Sequence, residues 1–282
     1  MLSYFFRRKN AHDGLTFMGG GILGYAHFGV ISALEERGLL QYINSFSGAS
    51  VGSIMAALCA LRISIETLVD LKESFNWDMK KLFDGSSTYA GEIFQLVETF
   101  GMYEGAELRN MIESFIEKVC GDKNITFLEA HQKYGTLLVI PITQVYTTGF
   151  EVIHYNYLTH PNEKISHIVN ISCSYPWIFP AVNGMCDGGL SNNFPIKELE
   201  CVRPLGILFE EPAREKVVPR TILEFSLGVL AGAKERLCII PEGYDIIKVP
   251  SLGMHSLDFA ISEEQKTLLF QSGYNSTLQF LL

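Results

Sequence analysis

The sequence predicts an α/β fold, a three-layer α/β/α arrangement around a mainly parallel central sheet, in one domain over residues 1–282. Two observations carry this. From Leu15 to Leu61 the chain alternates strand, glycine loop, helix, strand, tight turn and helix. Strands joined through helices pair in parallel, because the helix must carry the chain back to the start of the sheet. Further apolar runs alternate with helical stretches up to residue 282, and no shift in composition marks a boundary.

The elements follow in order. "LTFM" (Leu15 to Met18) is a short apolar run stopped by Gly19-Gly20-Gly21 and reads as a buried strand. From Tyr25 to Arg37 apolar residues recur at helical spacing, and Gly38 supplies the stop. "YINSF" (Tyr42 to Phe46) is the second strand, and "VGSIMAALCAL" after Ser50 is a buried helix. Residues Ile65 to Cys120 read as mainly helical, with an interruption at Asp84 to Gly91. "TLLVIPITQVY" and "FEVIHYNY" flank the turn "TTG" as two strands (Thr136 to Tyr157), and a helix follows at Ile165 to Ser172. Pro204 to Phe209 and Tyr244 to Pro250 are later strands. "TILEFSLGVLAGAKERL" and the tail from Ser262 are helical.

Composition narrows the class. Hydrophobic residues make up 48% and charged residues 19%, which suits a sizeable core and not a disordered chain. The formal charge of −9 argues against nucleic acid, whose binding needs clustered Lys and Arg. The start, "MLSYFFRRKN", puts its apolar residues before its basic ones, the reverse of a signal peptide. No apolar stretch is long enough to span a bilayer. The expectation is a cytoplasmic protein able to sit peripherally at membranes, with "LSYFFRRK" as one surface contact. Six scattered cysteines offer no CxxC motif, and reduced thiols filling the core are expected. No metal and no cofactor is expected.

Three glycine-bearing segments carry chemistry. In "MGGGILGYAHFG" (Met18 to Gly29), Gly19, Gly21 and Gly24 satisfy GxGxxG, the dinucleotide fingerprint. That fingerprint needs an acidic residue at the end of the second strand, and none occurs between Glu36 and Glu66. The alternative is an oxyanion hole, with backbone N–H groups of Gly19, Gly20 and Gly21 facing charge on an ester oxygen. In "SFSGASVGS", Ser50 sits between Gly48 and Gly52, after a strand and before a helix, which is the context of a nucleophile elbow. In "CDGGLSNNFP", Asp187 precedes Gly188 and Gly189. A serine hydroxyl needs a base, and none of the seven histidines has an obvious catalytic context. A buried carboxylate can serve, because desolvation raises its basicity.

"GGGILG", "GASVG" and "DGG", in that order and trailed by "LSNNFPI", resemble the patatin-like phospholipases. The resemblance runs from about Leu15 to Ile196. "GMYEGAELRNMIESFI" and "TFLEA" also look like the family's middle region, while residues 203 to 282 resemble it less. It implies a patatin-like fold and a dyad in which Ser50 is the nucleophile and Asp187 the base, with Gly20 and Gly21 in the oxyanion hole. Many members carry Arg or Lys where Leu23 stands here, and a leucine is similar to the branch associated with neutral glycerides.

The leading expectation is therefore a serine acyl hydrolase of phospholipids, lysophospholipids or glycerides, working through an acyl-enzyme at a membrane or lipid-droplet surface. Aromatic and methionine side chains between Phe75 and Tyr103 are candidates for a lid or acyl-chain wall, with core filling as the alternative. Two other readings stay open. One is an α/β-hydrolase triad of Ser50, Asp187 and His255, and the other is a lipid-binding scaffold without turnover. Oligomeric state is not legible.

Overall fold

The structure, a computed structural model, describes residues 12–75, 98–212, 218–258 and 261–282. Its centre is strand β1 (Gly14–Phe17), whose Leu15 and Phe17 are fully buried. Helix α1 (Gly24–Glu36) returns the chain to β2 (Ser45–Gly48), and helix α2 (Val51–Ala60) starts directly after Ser50. Strands β1 and β2 are parallel, with Leu15 opposite Phe46 and Phe17 opposite Gly48. They end side by side, so the glycine loop after β1 and the serine turn after β2 leave the sheet at one edge. Ligand sites of open parallel sheets lie at such carboxyl ends.

Helices α3 (Ile65–Ser74), α4 (Ala106–Cys120) and α5 (Phe127–Tyr134) precede strand β3 (Leu137–Tyr146), which turns back as β4 (Gly149–Tyr155). Helix α6 (Ile165–Ser172), the two-residue strand β5 (Met185–Cys186) and strand β6 (Pro204–Glu210) follow. Helix α7 (Ile222–Leu237), strand β7 (Asp245–Pro250) and helix α8 (Glu263–Phe280) complete the order. The sheet runs β4-β3-β2-β1-β6-β7, with β5 paired to β3. Pairing is parallel from β3 through β7 and antiparallel for β4 and β5. This is a mixed, mostly parallel sheet flanked by helices, as the sequence predicts.

Two differences have physical reasons. The segment "YINSF" holds a turn of 3-10 helix (Leu40–Tyr42), and the strand proper begins at Ser45 and runs to Gly48, where β1 still offers partners. Strand β5 is too short for any periodicity to reveal, since two residues cannot show alternation. Residues 76–97, which include most of the aromatic and methionine-rich stretch, lie outside the described residues, as does "LSYFFRRK". Phe75 is core: it is 1% exposed and its ring meets those of Tyr25 and Phe28 at 5.1 and 5.2 Å.

All six cysteines are free thiols. No described helix is long and apolar enough to cross a membrane.

Candidate active site

Ser50 follows Ala49 in the two-residue turn between β2 and α2, and its backbone is left-handed (φ 52°, ψ −131°). A side chain other than glycine's rarely adopts that region, and the cost is tolerated where surroundings fix the turn. Here the flanking glycines permit it. A Cβ on Gly48 would run into the Gly52 carbonyl, and a Cβ on Gly52 would run into the Phe17 carbonyl. The turn is then pinned by hydrogen bonds. The Ser50 N–H donates to Ser172 Oγ at 3.1 Å, and Ser172 Oγ donates to the Pro141 carbonyl at 3.0 Å. The Ser50 carbonyl accepts from Ser53 Oγ at 2.6 Å. Ser53 is thus a structural support at the head of α2.

Asp187 reaches the same place through β5. At Thr143 strand β3 has β4 on one side and Cys186 on the other, so β5 occupies the edge that β2 uses further back. Extending the β2–β3 register would put Ser50 opposite Ile142, and extending β5 puts Asp187 at that same position. The chain leaves β2 at Gly48, and the carboxylate takes the vacated place. Ser50 Oγ donates to Asp187 Oδ2 at 2.7 Å across 137 residues of sequence. The other oxygen, Oδ1, accepts the Gly189 N–H at 2.7 Å. Asp187 is also held by its backbone, which donates to the Ser174 carbonyl and accepts from Thr143 Oγ1. Gly188 is required because a Cβ there would strike the Pro141 carbonyl.

Asp187 is 2% exposed, and burial pushes its pKa up to about 6, against the downward pull of the Ser50 hydroxyl, the Gly189 N–H and Lys234. Two hydrogen bonds keep it anionic near neutral pH while desolvation keeps it basic, the balance a general base needs.

The glycine loop faces this pair. Gly21 has φ +51°, and the turn is anchored by Ile22 N–H donating to the Ser256 carbonyl at 3.2 Å. The Gly19 N–H is already used, donating to the Asn193 carbonyl at 3.2 Å, while Asn193 Nδ2 donates to the Gly19 carbonyl at 3.1 Å. The N–H groups of Gly20 and Gly21 meet no acceptor among the described residues. Beneath the loop lies His27, fully buried, donating Nε2–H to the Met18 carbonyl at 2.9 Å, with its ring against Phe17 and Phe209. Burial holds its pKa down near 4, so it is a neutral strut. The "SNN" after Asp-Gly-Gly was the available signal for Asn193. Nothing local marked Ser172, whose contribution depends on α6 meeting the elbow.

Gly20, Gly21, Ser50, Asp187 and Asn193 line one cavity of about 610 Å³. Met18, Cys173, Tyr175 and Phe179 also line it, and the rest of its wall, including Glu211, Lys234, Cys238, Ile240 and His255, comes from beyond the motif-bearing part of the chain. His255 is near but differently engaged: its Nδ1 lies 3.5 Å from Glu211 Oε2, and the Ser50 hydroxyl is bonded to the carboxylate directly. Leu23 is fully buried in the core and does not line the cavity. Its side chain therefore does not set the charge of this site. Among the described residues lining the cavity, Lys234 is the one Lys or Arg, and Glu211 and Glu235 line it too. Among the described residues no cluster of three His, Cys, Asp or Glu could hold a metal ion.

Known proteins resemble this chain at both levels. An uncharacterized protein of Acanthamoeba polyphaga mimivirus, R571, is 27% identical over 95% of this chain and 93% of its own length. Triacylglycerol lipase SDP1L of Arabidopsis thaliana is 31% identical over 64% of this chain, and triacylglycerol lipase 5 of Saccharomyces cerevisiae 29% identical over 62%. The chain spans only 21% and 23% of the length of those two lipases. In fold, VipD from Legionella pneumophila matches 96% of the chain and 67% of its own, with a TM-score of 0.61 at 17% identity. The type III effector ExoU matches 96% of the chain and 53% of its own, with a TM-score of 0.55 at 17% identity. The sequence profile of the patatin-like phospholipases matches residues 15–200, which hold the glycine loop, the serine elbow and Asp-Gly-Gly. With that match over most of its length, the chain belongs to the patatin-like phospholipase family of lipid hydrolases.

Proposed function

We propose that this protein cleaves carboxylic esters of lipids through Ser50 and Asp187, without a histidine. The observation that carries the reading is the 2.7 Å hydrogen bond from Ser50 Oγ to a carboxylate whose pKa burial has raised to about 6. Asp187 takes the hydroxyl proton as Ser50 Oγ attacks the ester carbonyl carbon. The carbonyl oxygen becomes an oxyanion and accepts from the Gly20 and Gly21 N–H groups, which meet no acceptor among the described residues. Gly19, whose N–H is spent on Asn193, seats the loop and does not donate to substrate. The tetrahedral species collapses, the C–O bond to the alcohol breaks, and Asp187 returns the proton to the leaving oxygen. A water deprotonated by Asp187 then attacks the acyl-enzyme, releasing the fatty acid and restoring Ser50.

The substrates in view are phospholipids, lysophospholipids and glycerides, presented at a membrane or lipid-droplet surface. The similarity to triacylglycerol lipases supports glycerides. Lys234 in the cavity supports a substrate with an anionic phosphate beside the ester. A fluorophosphonate probe is expected to label the wild-type chain, not Ser50→Ala, and Asp187→Asn only weakly. Fatty-acid release from a panel of phospholipids, lysophospholipids and mono- and triacylglycerols, run beside Ser50→Ala, identifies the substrate. A folded wild type that takes no label would favour a lipid-binding scaffold. Loss of labelling in a folded His255→Ala would favour the triad.

A further inference from the structure

Helix α7 differs from every other helix of the described chain in its relation to solvent. Of its 16 residues other than Leu223, none is buried, and it packs mainly on the Gly188–Leu190 turn beside Asp187. At 100° per residue, its two sides do different things. Ala231, Lys234 and Glu235 fall on one side and line the catalytic cavity, followed by Cys238 just past the helix end. Ile222, Phe225 and Val229 fall on the opposite side, at the i, i+3, i+7 spacing of one stripe, and are 86%, 60% and 57% exposed. Val218 before the helix and Ile239 after it are also widely exposed, at 81% and 76%. Ile240 is both exposed and a cavity residue, so the apolar surface runs from the outside of α7 to the rim of the site.

A contiguous exposed apolar surface of this kind marks an interaction face. Its charges indicate the partner. Arg236 lies in the same stripe as Phe225 and Val229, and Arg220 stands exposed just before the helix. Of the acidic residues, Glu235 lines the cavity, and the Glu224 carboxylate turns back to accept the N–H groups of Arg220 and Thr221 at the helix start. Apolar side chains in the middle and basic ones at the edge fit an anionic lipid surface, where the long arginine side chains reach the headgroups. The chain as a whole carries −9, so attraction to such a surface has to be local, and here it is.

We propose that the outer face of α7 docks the protein on an anionic phospholipid surface and so presses the mouth of the cavity against the layer that holds its substrate. This rests on the reading of the cavity as a lipid-hydrolysing site, but its test is separable. Sedimentation of the full chain with vesicles of dioleoylphosphatidylcholine, with and without phosphatidylserine, measures docking. Turnover of soluble p-nitrophenyl butyrate measures the chemistry. Phe225→Ser with Val229→Ser is expected to lower partitioning onto the mixed vesicles by about a hundredfold, roughly tenfold for each side chain. Butyrate turnover and Ser50 labelling should stay at the wild-type level. Arg236→Glu is expected to weaken binding to the mixed vesicles and leave binding to phosphatidylcholine alone, and this variant carries the test should the double variant misfold.

Wild-type protein that fails to sediment with mixed vesicles overturns the proposal, as do variants that bind like wild type. A wild-type dimer that the double variant converts to monomer overturns it in favour of a second copy of the chain. Vesicle binding by a chain that turns over no ester would instead sink the hydrolase reading and leave the docking face standing.

Discussion

Replacing Asp187 with Asn should stabilise this protein while removing its chemistry. The pKa of Asp187 rises from an ordinary 3.8 to about 6, with burial the largest cause. A carboxyl group with those two values costs about 3 kcal/mol to keep ionised in the folded chain at neutral pH. Asparagine has nearly the same shape and no charge. Its Oδ1 still accepts the Gly189 N–H, and its Nδ2 faces Ser50 Oγ as a donor. The pairing geometry therefore survives while the buried charge disappears. The stability gained at pH 7 should approach about 3 kcal/mol, which for a chain of this size raises the melting midpoint by on the order of 5–10 °C.

The pH dependence gives the stronger check. The folded state holds the proton more tightly than the unfolded chain does. The wild type therefore keeps its full stability contribution from this group below about pH 4 and loses it as pH rises through about 6. Asp187→Asn has no such loss. Urea denaturation of both proteins from pH 4 to pH 8 should show curves that meet at the acid end, draw apart between about pH 4 and 6, and run parallel above 6. A variant that is less stable at pH 7, or a difference that stays flat across the range, would refute the claim that the fold holds a costly charge here. Fatty-acid release by the variant should meanwhile fall to background, because an amide cannot take the serine proton.

Two other outcomes follow from the same geometry. In wild type, kcat/KM for ester hydrolysis should rise about tenfold per pH unit up to about pH 6 and then level, as the base loses its proton; a pH–rate profile with no inflection there would detach Asp187 from the rate. Gly21→Ala should cost about 1–3 kcal/mol in urea denaturation, since φ is +51° and a Cβ would run into the Ser256 carbonyl, and should lower kcat more than it raises KM by displacing the Gly21 N–H.

What the sequence made legible follows from how far each requirement acts along the chain. The elbow is local: Gly48, Ser50 and Gly52 must occur together because the turn brings the Gly48 and Gly52 backbones into contact with each other and with Phe17, so the pattern is written in five residues. The order of strands and helices is legible for a similar reason, since each is set by its own periodicity and caps. Thr126 with Glu129, Thr221 with Glu224 and Ser262 with Gln265 all form the reciprocal box that starts a helix. Asp187 acts at a distance. Its placement depends on a two-residue strand taking over an edge that β2 gives up, and only the resemblance to a family connected it with Ser50.

Position 23 shows where a motif stops being informative. A motif fixes which backbone atoms follow one another and leaves open which way a side chain points. Between Gly21 and Gly24 the chain makes one turn of 3-10 helix, and Ile22 and Leu23 both turn into the core. A leucine there is what the core demands, whatever the lipid. Among the described residues lining the cavity, the one Lys or Arg comes from α7, beyond the 15–200 match, on a helix that lines the cavity with one face and shows apolar side chains to solvent with the other. The choice between a phosphate-bearing ester and a neutral glyceride is accordingly a question for Lys234 and its neighbours Glu211 and Glu235, and not for the glycine loop that sequence comparison would single out first.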